Sequence, residues 1–234
     1  MRSVTGFLLL LLLIPGLALA RLETGAGLSL AWPHGEFKEH VDFAWGGGVR
    51  VGWEFGEQAA AGVSLFADLN YLNYGRERRV EPFSLTIPDV VVNVITDNYM
   101  MMVSPGVSFG LRRGVVRPYG ELFGGLTYIA TKTKIENRGL PSEPIAESTN
   151  FSDFTYNFGF GGGVKILVWH KNIEGRQAEL REALIDIKFD YVMGGEAEYL
   201  KKGSISRDLG YISYDTILSK TGLFQLRIGM SFGF

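Results

Sequence analysis

From Gln225 to Phe234 the chain alternates strictly: every even-numbered residue is apolar and every odd-numbered one is polar or glycine. Successive side chains of a strand point to opposite faces, so this segment carries one wholly apolar face and one small or polar face. Such a strand fits a wall with lipid on one side and a polar lumen on the other. The same two-residue period predicts eight strands, over 22–32, 42–55, 60–74, 98–111, 115–131, 153–168, 183–196 and 222–234. Each reaches the roughly 9 to 11 residues that a tilted membrane strand requires. The apolar faces gather Leu28 and Leu30, Val49 and Val51, Leu69 and Tyr71, Met101 and Val103, Leu122 and Leu126, Phe158 and Phe160, and Ile187 and Phe189. Several aromatics fall near strand ends, where amphipathic rings favour the membrane interface.

The connectors alternate in length. Short links at 56–59 and 112–114 read as periplasmic turns, and 33–41, 75–97, 132–152 and 197–221 as outer loops. The expected architecture is all-β, an eight-stranded antiparallel transmembrane up-and-down barrel with N- and C-termini periplasmic. One link departs from the alternation: 169–182 is a long connection on the turn side, and 177–182 has the composition for one or two helical turns.

The face opposite the apolar stripes carries Arg50, Glu54, Asp68, Arg117, Glu121, Lys165, Asp186, Lys188, Asp190 and Arg227, five cations and five anions. A soluble β-sandwich cannot bury that face, nor comfortably expose such continuous aromatic stripes on the other. In an eight-stranded barrel the lumen is only wide enough for side chains to fill, so these charges are expected to pair internally as a polar plug. The alternative is a gated ion path in which pairs such as Arg50 with Asp68 exchange partners. Asp186, Lys188 and Asp190 alternate on one strand, so Lys188 can lean toward a neighbour or reach across the bore, which favours the plug.

Ahead of the strands, Arg2, the apolar run from Phe7 to Ile14, a Pro15-Gly16 break and Ala18-Leu19-Ala20 have the pattern of a secretory signal peptide cleaved after Ala20. The run is too short for a spanning helix, which needs about 20 apolar residues. The chain thus divides into a leader, 1–20, and one barrel domain, 21–234. Loss of Arg2 takes the formal charge from −2 to −3, so the protein is no basic nucleic-acid binder. It contains no cysteine, which excludes a lipid-anchored lipoprotein, a disulfide scaffold and thiol or thiolate-metal chemistry. Hydrophobic residues make up 46% of a chain whose mature part has no spanning-length apolar run, and its 31 glycines are about twice ordinary usage. Both suit a small barrel.

Candidate chemistry is sparse. The histidines are His34, His40 and His170, none beside a serine, and Glu36 and Glu39 with the first two make a solvated loop rather than a metal spacing. No cofactor is expected. The loops offer Arg76, Arg78 and Arg79, with Lys201 and Lys202, as contacts for lipopolysaccharide phosphates or as an ordinary solvated surface. The apolar stretch 87–95 either extends a hairpin above the membrane or forms an adhesive edge.

Arg227, Gly229, Phe232 and the terminal Phe234 resemble the C-terminal signal by which outer-membrane barrels of Gram-negative bacteria are recognised for assembly. Ser104-Pro105-Gly106-Val107, followed by Arg117-Pro118-Tyr119-Gly120-Glu121 and Gly124-Gly125, is similar to the middle of the OmpA-like outer-membrane β-barrel superfamily. The resemblance implies location in the bacterial outer membrane, with periplasmic chaperones, the barrel-assembly machinery, membrane lipid and lipopolysaccharide as partners, and a monomeric barrel. Nothing after Phe234 suggests the soluble peptidoglycan-binding module of some relatives. Pro105 removes one ladder donor, so a bulge is expected there, and the runs Gly46–Gly48 and Gly161–Gly163 are expected to permit tight curvature or to receive neighbouring rings. The expected role is structural or surface-interacting, through the loops and with no catalytic site. A narrow channel is the first alternative and a lipid-modifying enzyme using His34 and His40 the second.

Overall fold

The computed structural model describes residues 21–55, 60–84, 87–137, 145–171, 180–208 and 211–234. The leader 1–20, the turn at 56–59 and residues 177–179 of the anticipated helical turns lie outside the described residues; Glu182 opens a strand instead. The strands are β1 (Arg21–Pro33), β2 (Ala44–Phe55), β3 (Ala61–Ser84), β4 (Ile87–Leu111), β5 (Val116–Asn137), β6 (Ala146–His170), β7 (Glu182–Gly194), β8 (Glu196–Asp208), β9 (Tyr211–Lys220) and β10 (Leu223–Gly233). A 3₁₀ turn, Gly35–Glu39, sits between β1 and β2.

Eight strands close in the order β1-β10-β7-β6-β5-β4-β3-β2, all paired antiparallel, and β8 and β9 form a separate two-stranded hairpin. Closure removes the free edge that an open sheet would present. It is made by β10 against β1, from Leu223 opposite Pro33 to Gly233 opposite Glu23. The alternation read from the sequence maps onto outside and inside: Leu28, Val49, Val103, Leu122, Phe158 and Ile228 are exposed on the outer wall, while Ser29, Arg50, Ser104, Glu121, Asn157 and Arg227 are buried within.

The wall is uneven. β3 to β6 run 24, 25, 22 and 25 residues, against 13, 12, 13 and 11 for β1, β2, β7 and β10. Ten additional residues add roughly 30 Å along a strand. Most of the outer loops anticipated at 75–97 and 132–152 is therefore ladder, a correction with a physical reason. The lipid-facing stripe stops near Tyr71 and Tyr128, but backbone pairing continues, because Val90–Ile95 and Thr131–Ile135 have the β-branched composition that a pleated surface favours. Likewise 197–221 is mostly the β8–β9 hairpin, and the expected end of the seventh strand at Glu196 falls instead at Gly194.

The expected bulge at Pro105 is absent. Register runs unbroken from Val103 opposite Leu126 to Gly106 opposite Phe123, and the β4–β5 ladder simply lapses over Ser104 and Pro105, as a residue without an N–H requires. Register shifts occur instead at Asn73/Gly75 and Pro82/Ser84, Thr131/Lys132 and Leu167/Trp169. All but the Pro82/Ser84 shift insert one odd residue and so exchange the inward and outward faces beyond them.

Candidate functional site

The lumen is layered. Its middle holds a charge tier centred on Arg50. Arg50 and Asp68 are direct cross-strand partners. The Arg50 guanidinium donates to both Asp68 oxygens, at 2.8 and 2.6 Å, and to both Glu121 oxygens, at 3.0 and 2.8 Å. Its cationic face lies 4.0 Å from the Phe66 ring centroid. Lys188 reaches across the bore to Asp68 at 2.9 Å and Glu121 at 2.7 Å, and also holds its strand neighbour Asp190 at 2.9 Å. Arg227 donates to Asp68 at 3.1 Å. Three cations thus meet three anions, all buried. An unpaired charge there would cost several kcal/mol, about the scale at which pairing decides whether a lumen can be closed by charged groups at all.

Lumen-facing glycines make this tier fit. A Cβ on Gly161 would stand 2.1 Å from the Asp190 carboxylate, and one on Gly106 would stand 2.5 Å from the Phe66 ring that supports Arg50. The glycine runs leave room for neighbouring backbone and polar side chains as well as rings.

Toward the end that carries both chain termini, the remaining lumen charges take other partners. Lys165 bonds Glu23, at 2.6 Å to Oε2. The Tyr119 hydroxyl donates to Asp186 at 2.7 Å. Arg117 makes a two-pronged pair with Glu182 at 2.8 and 2.8 Å, and Arg21 approaches the same carboxylate at 2.9 Å. Glu54 lies beside Glu23 at this mouth. Of the ten charges singled out from sequence, six form the central tier, and Lys165, Asp186, Arg117 and Glu54 belong to this lower layer. Sequence reasoning passed over Arg21, Glu23 and Glu182. Glu23 was legible, since it has the parity opposite to Leu28 and Leu30; Glu182 was taken as part of a connector because the apolar stripe begins only after it.

Toward the opposite, loop end the lumen loses its charge. Gln225 donates to Ser29 and Asn70, both at 3.0 Å, and Asn157 accepts from Ser104 at 2.9 Å and donates to Thr127 at 3.0 Å. Above these amides lies an apolar cluster that includes Leu72, Met100, Met102, Ile129, Val192 and Leu223 from the barrel. Phe37 from the 3₁₀ turn enters it from above, fully buried, with its ring 5.3 Å from Tyr199 of β8 and 5.8 Å from Tyr74. The first loop is thus anchored by Phe37, while its Glu36, Lys38 and Glu39 are exposed. His34 stacks on Tyr191 at 4.7 Å and Glu36 accepts from the Lys220 backbone at 3.0 Å. Among the described residues no cluster of His, Asp or Glu could hold a metal ion.

The loop basic residues divide between two faces. Beyond the Asn73/Gly75 shift, Arg76 and Arg78 point outward. Arg79 points inward, donating to the Ile205 carbonyl of β8 at 3.3 Å, while Glu77 accepts from the Gly203 N–H at 3.2 Å. Lys201 and Lys202 are exposed on β8. The outer face also gains Lys132 and Lys134, in line with Asp97 and Ile95 across β4. The Lys132 ammonium bonds Glu147 and holds that carboxyl below the ordinary carboxylate range. Just below this face runs an aromatic ladder, Tyr71–Tyr99–Tyr128–Phe154, with centroid separations of 5.3, 6.3 and 4.8 Å. At the terminal end Trp53, Phe55, Phe232 and Phe234 are half-buried and Trp169 is exposed. Of the assembly-signal residues, Arg227 faces the lumen, Gly229 crosses Gly27 of β1, and Phe232 and Phe234 are half-buried on the outer wall.

A closed ring of eight antiparallel strands, apolar outside, polar within and belted by aromatics, defines a membrane-spanning β-barrel. The chain belongs to the outer membrane protein beta-barrel domain family, whose model matches residues 6–232, and it is a protein of the bacterial outer membrane. Solved structures similar to it include the attachment invasion locus protein Ail of Yersinia pestis, crystallised with the heparin analogue sucrose octasulfate, at 14% identity over 92% of this chain and 97% of that one, TM-score 0.39. Neisserial surface protein A matches at 10% identity over 91% and 95%, TM-score 0.41. The N-terminal barrel domain of Pseudomonas aeruginosa OprF matches at 13% identity over 92% and 99%, TM-score 0.32. No curated protein matches the chain.

Proposed function

We propose that the protein is a non-conducting outer-membrane anchor that displays a tall β-structured platform outside the cell, made of the extended ends of β3 to β6 and the β8–β9 hairpin. Export by a leader cleaved after Ala20 and insertion through Arg227, Gly229, Phe232 and Phe234 place the termini in the periplasm and the platform outside. The carrying observation is the stacking of an apolar stopper above a charge-balanced tier. An ion crossing this lumen meets buried aromatics at one level and committed ion pairs at the next. Lipopolysaccharide is the expected lipid partner of the outer face, through Arg76 and Arg78 with Lys132 and Lys134 rather than Arg79: phosphates lie just beyond an aromatic belt, where these cations stand. A structural or surface-interaction role follows, with no catalytic constellation required.

Single-channel recording from the refolded barrel in planar bilayers tests this reading. A heat-modifiable, folded and electrically silent barrel supports it. Discrete openings in the wild-type protein, altered by charge reversal at Glu121, would establish the narrow channel instead.

A further inference from the structure

At the terminal end the lumen opens into a cavity of about 410 Å³ lined by Arg21, Arg112, Arg113, Arg117, Glu54 and Glu182, among others. It is blind, since the Lys165–Glu23 pair and the charge tier stand behind it. Four guanidiniums face two carboxylates. Glu182 is already shared between Arg117 and Arg21. The Arg21 contact at 2.9 Å is an ion pair without hydrogen-bond alignment, and the buried Arg21 Nε and Nη2 have no hydrogen-bond partner. Arg112 lies across Gly62, where a Cβ would meet its Nε at 2.0 Å, and spends one nitrogen on the Val63 carbonyl and, at 3.4 Å, on the Ser64 hydroxyl. Arg113 is exposed and has no bonded partner among the described residues. Four like charges gathered at one partly buried mouth repel one another unless an anion offsets them.

We propose that this vestibule binds a phosphate group, that of a phospholipid headgroup from the adjoining leaflet. Guanidinium forks match phosphate oxygens in pairs. The lipid source is favoured by the turn that carries Arg112 and Arg113: its flanking Leu111, Val115 and Val116 are 46%, 63% and 56% exposed, and Trp169 is exposed nearby. Apolar residues with an interfacial tryptophan set this mouth at the leaflet surface, where headgroup phosphates lie. The β6 register shift at Leu167/Trp169 produces the arrangement, turning Trp169 outward while pairing His170 with Glu182 at the mouth. The inference requires a membrane-spanning barrel and does not depend on which compartment the mouth faces or on a silent lumen.

The test is native mass spectrometry of the barrel refolded in neutral detergent, with added phosphatidylglycerol or, separately, diacylglycerol, alongside thermal unfolding with inorganic phosphate. The expected result is retention of phosphatidylglycerol but not diacylglycerol, at least tenfold weaker in Arg113→Glu. Lys38→Glu, at an exposed position of the 3₁₀ turn at the opposite end, controls for unspecific attraction and retains lipid as the wild type does. Arg113 holds no structural bond, so that variant folds; heat-modifiable migration checks this, and Arg112→Gln repeats the test at a second position. Stabilisation by inorganic phosphate, lost in Arg113→Glu, with no preference for phosphatidylglycerol, overturns the lipid source and leaves a phosphate site filled from solution. Lipid retention unchanged in both vestibule variants, with no phosphate effect, overturns the site itself.

Discussion

Asp68 accepts from Arg50, Lys188 and Arg227 at once, so it is the residue on which the lumen's charge balance most depends. Asp68→Ala leaves three buried cations facing two anions and takes from Arg227 its tier partner. It is expected to cost about 3–5 kcal/mol, the scale of breaking a buried pair by removing one partner. Equilibrium urea unfolding in lipid vesicles measures it. The double variant Arg50→Met/Asp68→Leu removes a cation with the anion and should cost less than Asp68→Ala alone; an equal or greater cost would sink the idea that charge balance, rather than shape, holds the tier. Glycine sets a second limit. Gly106→Ala brings a Cβ to 2.4 Å from the Leu122 carbonyl and 2.5 Å from Phe66, so about 1–3 kcal/mol of overpacking strain is expected in the same assay.

At the scale of elements, the register shift at Asn73/Gly75 does more than bend a strand. The two-residue period separates Arg78 from Arg79 in any strand, but only the inserted residue decides which of them faces outward. A basic patch in sequence thereby becomes an outer pair and an inner tether to β8. The pair Arg76→Glu/Lys132→Glu is expected to reduce the extra thermal stability that lipopolysaccharide-containing membranes give over plain phospholipid. Arg79→Glu should leave that difference intact and loosen β8, read as faster proteolysis of the hairpin. Equal loss in both variants would mean the face assignment carries no function. The β8–β9 hairpin supplies Tyr199 to the apolar cluster, and the 3₁₀ turn supplies Phe37. Phe37→Ala is expected to cost about 3–5 kcal/mol if the cluster fails to collapse around the void. Ion leak in that variant would support a barrier formed by this cluster; silence would leave the charge tier below as the proposed barrier.

At the scale of the molecule, the barrel has one short side and one tall side, and the hairpin that is not part of the ring leans over its mouth. The lipid-facing belt and the platform above it obey the same backbone geometry with opposite surface chemistry. This explains why the ring was legible in the sequence and the platform was not: a reading that stops each strand where its apolar stripe ends finds the bilayer boundary, and the ladder crosses that boundary. The composition of the lumen was legible too, as ten charges on the strand faces opposite the apolar stripes, whereas its division into tiers was not.

Alternation is a local property of an extended backbone, so the sequence by itself determined the eight strands, which residues meet lipid and which turn inward. The pairings inside the lumen are another matter. Arg50 meets Glu121 across 71 residues and Lys188 meets Asp68 across 120, distances over which no period carries information. Ring closure, the register of each strand pairing and the inserted residues decided those partners. They also folded Phe37 and Tyr199 over the bore and gathered four arginines around one mouth. Only the tertiary structure could do so, because a single inserted residue reverses a face and only a closed ring brings distant strands to opposite sides of one narrow space.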